Sequence, residues 1–429
     1  MLEVLKNRTY RHLFTAQIIA LIGTGLLTVA LGLLAFDLAG GQASAVLGTA
    51  LAIKMVAYVG VAPIVGAFAD RLPRRTFLVS MDLVRAAIAM CLPFVNQIWE
   101  IYVLIFLLQA CSAGFTPMFQ AVIPDVLPEE KDYTGALSLS RLAYDTESLV
   151  SPALAAALLT IVSYHSLFAG TVVGFLGSAA LVMSVTLPKQ EPAPREGGVY
   201  ANTTRGIRIY LGTPRLRGLL ALNLSVAAAG AMVIVNSVVF VRSLLHRGPS
   251  DVGIALTAFG FGSMLAAFVL PRLLEKLAVR TVMIWAGLGL GAGLFVFAAL
   301  AQSPPGLLWP LLLGFWFAFG IGYSAIETPA GRLVKRSATS ADRPAVFAAQ
   351  FALSHACWLL TYPVAGIIGA RAGMIPALIA LGAITFVGAL IAWKVWPTND
   401  PDVVEHTHED GKTHAHPFVI DDQHRRWPK

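Results

Sequence analysis

Gly66-Ala67-Phe68-Ala69-Asp70-Arg71-Leu72-Pro73-Arg74-Arg75 joins two long apolar runs through a turn carrying one carboxylate and three guanidinium groups. Gly66 permits close approach of two helices just before the polar turn. Asp70 can accept from a helix N-terminus or from an arginine, and Arg71, Arg74 and Arg75 supply donors. Such a turn reads as a latch that holds one end of a helical bundle shut. A plainer reading is a loop whose positive charge orients the chain in a bilayer. Either reading requires a membrane-crossing helix on each side of it.

Composition agrees. Of 429 residues, 57% are hydrophobic and 13% charged, with a mean hydropathy of +0.72, which leaves too little polar surface to coat a soluble globule. The net charge of +7 sits in short clusters between apolar runs, so it reads as a topology signal and not as a nucleic-acid face. Cys91, Cys111 and Cys357 lie within apolar runs without CxxC spacing, which implies neither disulfides nor a thiolate zinc site. The first apolar run is too long for a cleaved signal peptide.

At about 20 apolar residues per crossing, twelve spans are expected near 12–38, 45–69, 76–94, 98–123, 133–160, 164–187, 216–241, 252–274, 281–301, 307–329, 344–370 and 374–396. Lys and Arg cluster before span 1 and after spans 2, 6, 8 and 10, whereas the alternate loops hold only Arg242, Arg247 and Arg371. That bias places both termini and the central segment in the cytoplasm. The expected organisation is all-α: a six-helix half over 1–187, a cytoplasmic Pro- and Gly-rich linker over 188–213, a second six-helix half over 214–396 and a His-rich tail over 397–429. The halves echo each other. Ser112-Ala113-Gly114-Phe115 in span 4 lies where Gly320-Ile321-Gly322-Tyr323 lies in span 10, and Arg75-Thr76 opens span 3 as Arg280-Thr281 opens span 9.

The turn quoted above resembles the G-x-x-x-D-R-x-x-R-R loop of major facilitator transporters, with Pro73 where glycine is usual. Asn7-Arg8-Thr9-Tyr10-Arg11-His12-Leu13-Phe14 and Ile123-Pro124-Asp125-Val126-Leu127-Pro128-Glu129-Glu130 look like the multidrug and siderophore exporter branch. Residues 136–148, followed by Ser151-Pro152, resemble span 5 of the nickel-resistance exporters, some of which also end in a His-rich tail. Antiporters of the superfamily commonly carry Gly-Pro where Ser151-Pro152 stands. The resemblance implies a monomeric carrier in a bacterial-type inner membrane, with a central cavity between parallel six-span repeats.

Ionisable residues inside spans are costly unless they face the bundle interior, and each is a candidate for function. Arg141 and Asp145 are four apart on one face of span 5 and can neutralise each other. Glu147 points elsewhere, Glu327 in span 10 has no cation within its own turn, and His355 in span 11 matches the place of Asp145 in the first half. Carboxylate and imidazole can bind a divalent ion or relay a proton. Alone, His355 reads as a neutral buried histidine with a satisfied hydrogen bond. Lys54 and the Asp82/Arg85 pair read as latch or packing elements near the cytoplasmic ends, and Asp37 as an outer-end residue.

The tail lacks an apolar period and is expected to be disordered without ligand, with His406, His408, His414, His416 and His424 as possible transition-metal ligands. No phosphate loop, HExxH or GxSxG occurs, so no enzyme and no cofactor are expected. The leading expectation is a proton-coupled exporter of a divalent metal, nickel or cobalt, in which Asp145, Glu147, Glu327 and His355 bind metal and proton in turn. The alternatives are a drug or siderophore exporter using the same groups, and a non-transporting membrane sensor using the tail.

Overall fold

The computed structural model describes residues 2–68, 73–188, 199–339, 342–398, 404–407, 413–416, 419–420 and 427. Its first six long helices are α1 (Arg8–Ala39), α2 (Ala43–Phe68), α3 (Arg74–Cys91), α4 (Ile98–Val126), α5 (Glu130–Leu158) and α6 (His165–Met183). A shorter α7 (Val199–Gly212) follows. The second six are α8 (Pro214–Val239), α9 (Pro249–Leu273), α10 (Val279–Leu300), α11 (Pro305–Arg336), α12 (Arg343–Arg371) and α13 (Met374–Val395). All twelve expected spans are present. Among the described residues ten stretches are long and apolar enough to cross a bilayer, the first running through α1 and α2 together. The helix they leave out is α5, where Arg141, Asp145 and Glu147 interrupt the apolar run.

Helix starts follow local chemistry. The Asn7 side chain accepts from the Tyr10 N–H at 3.1 Å to cap α1, and Glu100 reaches back to the backbone of Gln97 at 3.0 Å to cap α4. Pro214, Pro249 and Pro305 open α8, α9 and α11, where a missing N–H costs nothing.

The expected 188–213 linker contains a helix, Val199–Gly212. This helix is tied to the second set of spans: Arg205 Nε donates to Asp342 Oδ1 at 2.5 Å, Tyr210 donates to Gln350, and Gly206 lies against the Ala345 carbonyl. Burial, reinforced by the fields of Cys357 and Glu327, pushes the Tyr210 phenol well above its ordinary pKa and keeps it a neutral donor. The tail is likewise not devoid of regular structure. β1 (Val404–Thr407) and β2 (Thr413–His416) pair antiparallel with His406 opposite His414. Val404, Thr407 and Thr413 are β-branched, which suits a strand better than a disordered segment. His408 and His424 lie outside the described residues.

The same neighbour pairs recur in the two sets of six. α1 packs on α6 and α5 as α8 packs on α13 and α12, while α2 meets α4 as α9 meets α11. The Arg75/Arg280 echo has a structural meaning: Arg75 donates to the Met183 carbonyl closing α6, and Arg280 Nε donates to the Trp396 carbonyl closing α13 at 2.8 Å. Both arginines satisfy carbonyls that a helix end leaves orphaned.

Small residues set the helix spacings. Gly262 and Gly320 bring α9 and α11 into backbone contact, and Gly23 meets Gly174 between α1 and α6. Of the alternating glycines in α10, Gly287, Gly291 and Gly293 face other helices whereas Gly289 faces open space. Contacts between the two sets gather toward the end of the bundle away from the termini. There Gly48 lies under the Tyr362 carbonyl and beside Gly366, Gly253 lies against Ala156, and Gln42 Nε2 donates to the Ala370 carbonyl at 3.1 Å. This far end is shut.

Replacing Gly320 by leucine drives a side chain into the Phe259 carbonyl, and overpacking of this kind costs about 1–3 kcal/mol. The expected result is a melting temperature in detergent several degrees lower for Gly320→Leu, with Gly289→Leu unchanged. Thermal unfolding of the purified variants checks it.

Candidate functional site

The sequence leaves a lone lysine inside the apolar run of α2, and the structure turns it inward. Lys54 lies near the middle of α2, not at a helix end, where it feels the charge of Glu147 in α5 and its own charge acts on His355 in α12. One turn on, the Tyr58 ring stacks on the His355 imidazole at 5.5 Å with 9° between the planes, and the Lys54 ammonium lies 5.9 Å from that ring. Phe351 joins the stack, 4.0 Å from the His355 ring. Three spans, two from the first set and one from the second, thus bring a cation, a carboxylate, an imidazole and two aromatic rings to one region between the sets.

Glu147 is positioned by α1. A Cβ at Gly25 would collide with Glu147 Oε1 and with the Ser151 side chain, so α1 and α5 approach closely only because Gly25 has no side chain. Among the described contacts no hydrogen bond joins Glu147 to Lys54; their attraction acts through space, and at low dielectric it is long-ranged. His355 Nδ1 lies 2.7 Å from the Phe351 carbonyl, which places the proton on Nδ1 and leaves Nε2 to face the site. It is a hydrogen-bonded imidazole packed between two rings.

Glu327 of α11 acts electrostatically on Cys357 of α12 and on Tyr210 of α7. The side chains of Arg141 and Asp145 lie outside the described ones. So do those of the tail histidines. Among the described residues no three His, Cys, Asp or Glu side chains converge as a metal-binding group.

The turn between α2 and α3 is described only in part, since Asp70 and Arg71 fall outside the described residues and Gly66 contributes only its helical backbone. Arg74 forms an ion pair with Asp125 at the end of α4, and Arg75 donates to the end of α6. Both therefore brace the first set internally.

Asp82 and Arg85 are not near a cytoplasmic end. They form an ion pair buried to 0% and 5% exposure, with Ser178 donating to Asp82 at 2.7 Å and the guanidinium between the rings of Phe115 and Phe175 at 4.3 and 4.5 Å. Hydrogen bonds and cation–π contacts compensate the desolvation of both charges. This is a brace between α3, α4 and α6. Lys54, Tyr58 and Gly25 are the site residues that sequence reasoning passed over. The available signal was that Lys54 is the one charged residue of Ala43–Phe68, so its counter-charge had to come from another helix.

Twelve spans in two repeated sets, with buried charges and stacked rings between them, define a secondary transporter and not an enzyme. The profile of the Major Facilitator Superfamily matches residues 13–246 and 219–420, and the chain belongs to that superfamily. It is 23% identical over 359 residues to the uncharacterized MFS-type transporter YfiS of Bacillus subtilis (strain 168), covering 77% of this chain and 81% of that protein. It is 28% identical over 183 residues to macrolide efflux protein A of Streptococcus pyogenes, covering 41% of this chain and 44% of that one. In fold it is similar to a bacterial homolog of the human lysosomal transporter Spinster, with a TM-score of 0.69, 13% identity and coverage of 91% and 98%. A D-xylose-proton symporter gives a TM-score of 0.65 at 13% identity, covering 92% of this chain and 97% of that one. The protein is a multi-pass membrane transporter of small solutes.

Removing one member of a buried charge pair leaves the other uncompensated, whereas removing both is far less costly. Lys54→Ala and Glu147→Gln are each expected to lower the melting temperature, and the double variant to recover part of the loss. A double-mutant cycle in detergent should give an interaction energy of about 0.5–3 kcal/mol; additive losses would mean the two charges do not act on each other.

Proposed function

We propose that this protein exports an amphipathic organic solute in exchange for protons, with 1–187 and 214–396 moving as two halves about the central site. The observation that carries the reading is the Lys54–Glu147 pair facing the Tyr58–His355–Phe351 stack between the sets. Flat aromatic surface suits a solute with an apolar body. A carboxylate balanced by one lysine suits a group that alternates between a proton and the charge or donor of a cargo. When Glu147 takes up a proton, Lys54 loses its counter-charge. The region between the sets then passes from neutral to net positive, and alternation between two states needs such a differential interaction.

Outward direction is supported by the similarity to macrolide efflux proteins and by the exporter-like segments at 7–14 and 123–130. The Lys/Arg bias supports a cytoplasmic location for both termini and for 188–213, in a bacterial-type inner membrane. Arg141 with Asp145 would form a neutralised pair beside the site, and Glu327 would tune the end nearer the linker. Asp70 and Arg71 would complete the cytoplasmic latch begun by Arg74 and Arg75.

The second reading keeps nickel or cobalt as cargo. It is favoured by the span 5 resemblance and by the register that sets His406 opposite His414.

Tolerance assays in cells lacking their own exporters separate the two readings, with erythromycin and ethidium as organic probes and nickel and cobalt chlorides as metal probes. Wild type is expected to raise organic tolerance at least fourfold, Glu147→Gln and His355→Ala to abolish the gain, and removal of residues 398–429 to leave most of it. Nickel tolerance lost in the same core variants, with no organic effect, would assign the carrier to metal.

A further inference from the structure

Helix α8 does not end in α geometry. Phe240–Leu244 forms a π turn, in which the Leu245 N–H reaches the Phe240 carbonyl at 3.0 Å. The Arg247 N–H then reaches back to the Val241 carbonyl at 2.9 Å, a closure that puts the residue between them in the left-handed region. That residue is His246, with φ of 52°, the one non-glycine residue of positive φ among those described. A position that favours glycine is filled by a histidine, and the helix end carries the corresponding backbone strain.

A π turn holds one residue more than an α turn and persists where contacts hold it. Here the contacts run through Arg242. Its Nη1 donates to the Arg247 carbonyl at 2.7 Å, and its guanidinium lies 5.4 Å from the ring of Phe36, near the end of α1. Arg247 is fixed in turn: it lies 4.2 Å from the Trp309 ring of α11 and reaches Asp251 of α9 at 3.4 Å. The Nε atoms of Arg242 and Arg247 are buried without a hydrogen-bond partner. Each guanidinium therefore combines one polar contact with a ring face. Phe36 belongs to the first set of six and Arg242 to the second, so this contact bridges the sets at the far end, the end that also holds the Gln42–Ala370 hydrogen bond.

We propose that the π turn Phe240–Leu244 is the releasable element of the outer gate, with Arg242 on Phe36 as its latch. While the far end is shut, the turn holds the guanidinium over the ring. Relaxation to α geometry passes the extra residue into the 245–248 connection, turns Arg242 away from Phe36 and frees α1 from α8. The strain at His246 keeps the closed form from being too stable to open. This role is independent of the cargo, because neither residue belongs to the central site.

Gly32 supplies the reporter. It faces Leu47 and Val238 at 3.7 and 4.0 Å, behind the latch, with room for a small side chain. Full-length protein carrying Gly32→Cys, with Cys91, Cys111 and Cys357 replaced by serine, is labelled with an impermeant maleimide in right-side-out vesicles. Arg242→Ala and Phe36→Ala are each expected to raise the labelling rate at least fivefold, and the double variant no further. His246→Gly, which relieves the strain, is expected to lower the rate below that of the parent and to slow transport. Unchanged labelling in Phe36→Ala and Arg242→Ala with unaltered melting overturns the proposal, as do fully additive increases. If Arg242→Ala does not fold, Phe36→Ala and His246→Gly decide: opposite shifts support the latch, and no shift in either refutes it.

Discussion

Hydrocarbon offers a backbone amide no water to bond to, and this constraint shapes the rest of the molecule. Every crossing must be helical, and once all are helical and apolar, greasiness no longer distinguishes one neighbour from another. Shape has to do so. Backbone contact at Gly262 and Gly320, at Gly23 and Gly174, and at Gly48 and Gly366 fixes which helices meet and how near. The same device serves the site, since Gly25 lets α1 lie against Glu147 and Ser151.

Charges inside the bundle divide into two kinds by how completely they are satisfied. Asp82 and Arg85 are paired, hydrogen-bonded and flanked by rings, so they hold α3, α4 and α6 together, with each oxygen of Asp82 engaged. Lys54 and Glu147 attract without touching, on helices that border the interface between the sets. A pair with slack can exchange partners; a locked pair cannot. That contrast, more than the presence of charge as such, separates the brace from the candidate site.

The internal repeat also divides into what was kept and what was not. Arg75 and Arg280 perform the same capping task in the two sets, and the helix neighbours correspond. The central residues break the symmetry: the cation and carboxylate come from α2 and α5, the imidazole from α12. A binding region assembled from unlike faces can discriminate the two ends of a solute.

Twelve spans, their boundaries and the repeat were legible in the sequence, because helix length, apolar composition and terminal arginines are local properties. The hydrogen bond of His355 is local in the same way, its acceptor Phe351 being one turn away. Which intramembrane charges meet was not legible. Lys54 read as an end-of-helix residue until α5 placed Glu147 within its field, and Asp82 and Arg85 read the same way until Phe115 and Phe175 enclosed the pair. The helix within 188–213 was hidden by the Pro and Gly content of its N-terminal flank, and the strand pair in the tail by the histidines His406, His414 and His416 that the strands themselves carry. Sequence alone determined that this chain crosses a bilayer twelve times as a two-part carrier, since each crossing is decided by its own residues. Only the tertiary structure decided which side chains share the space between the parts, since electrostatic partners in a helical bundle are chosen by helix rotation and spacing.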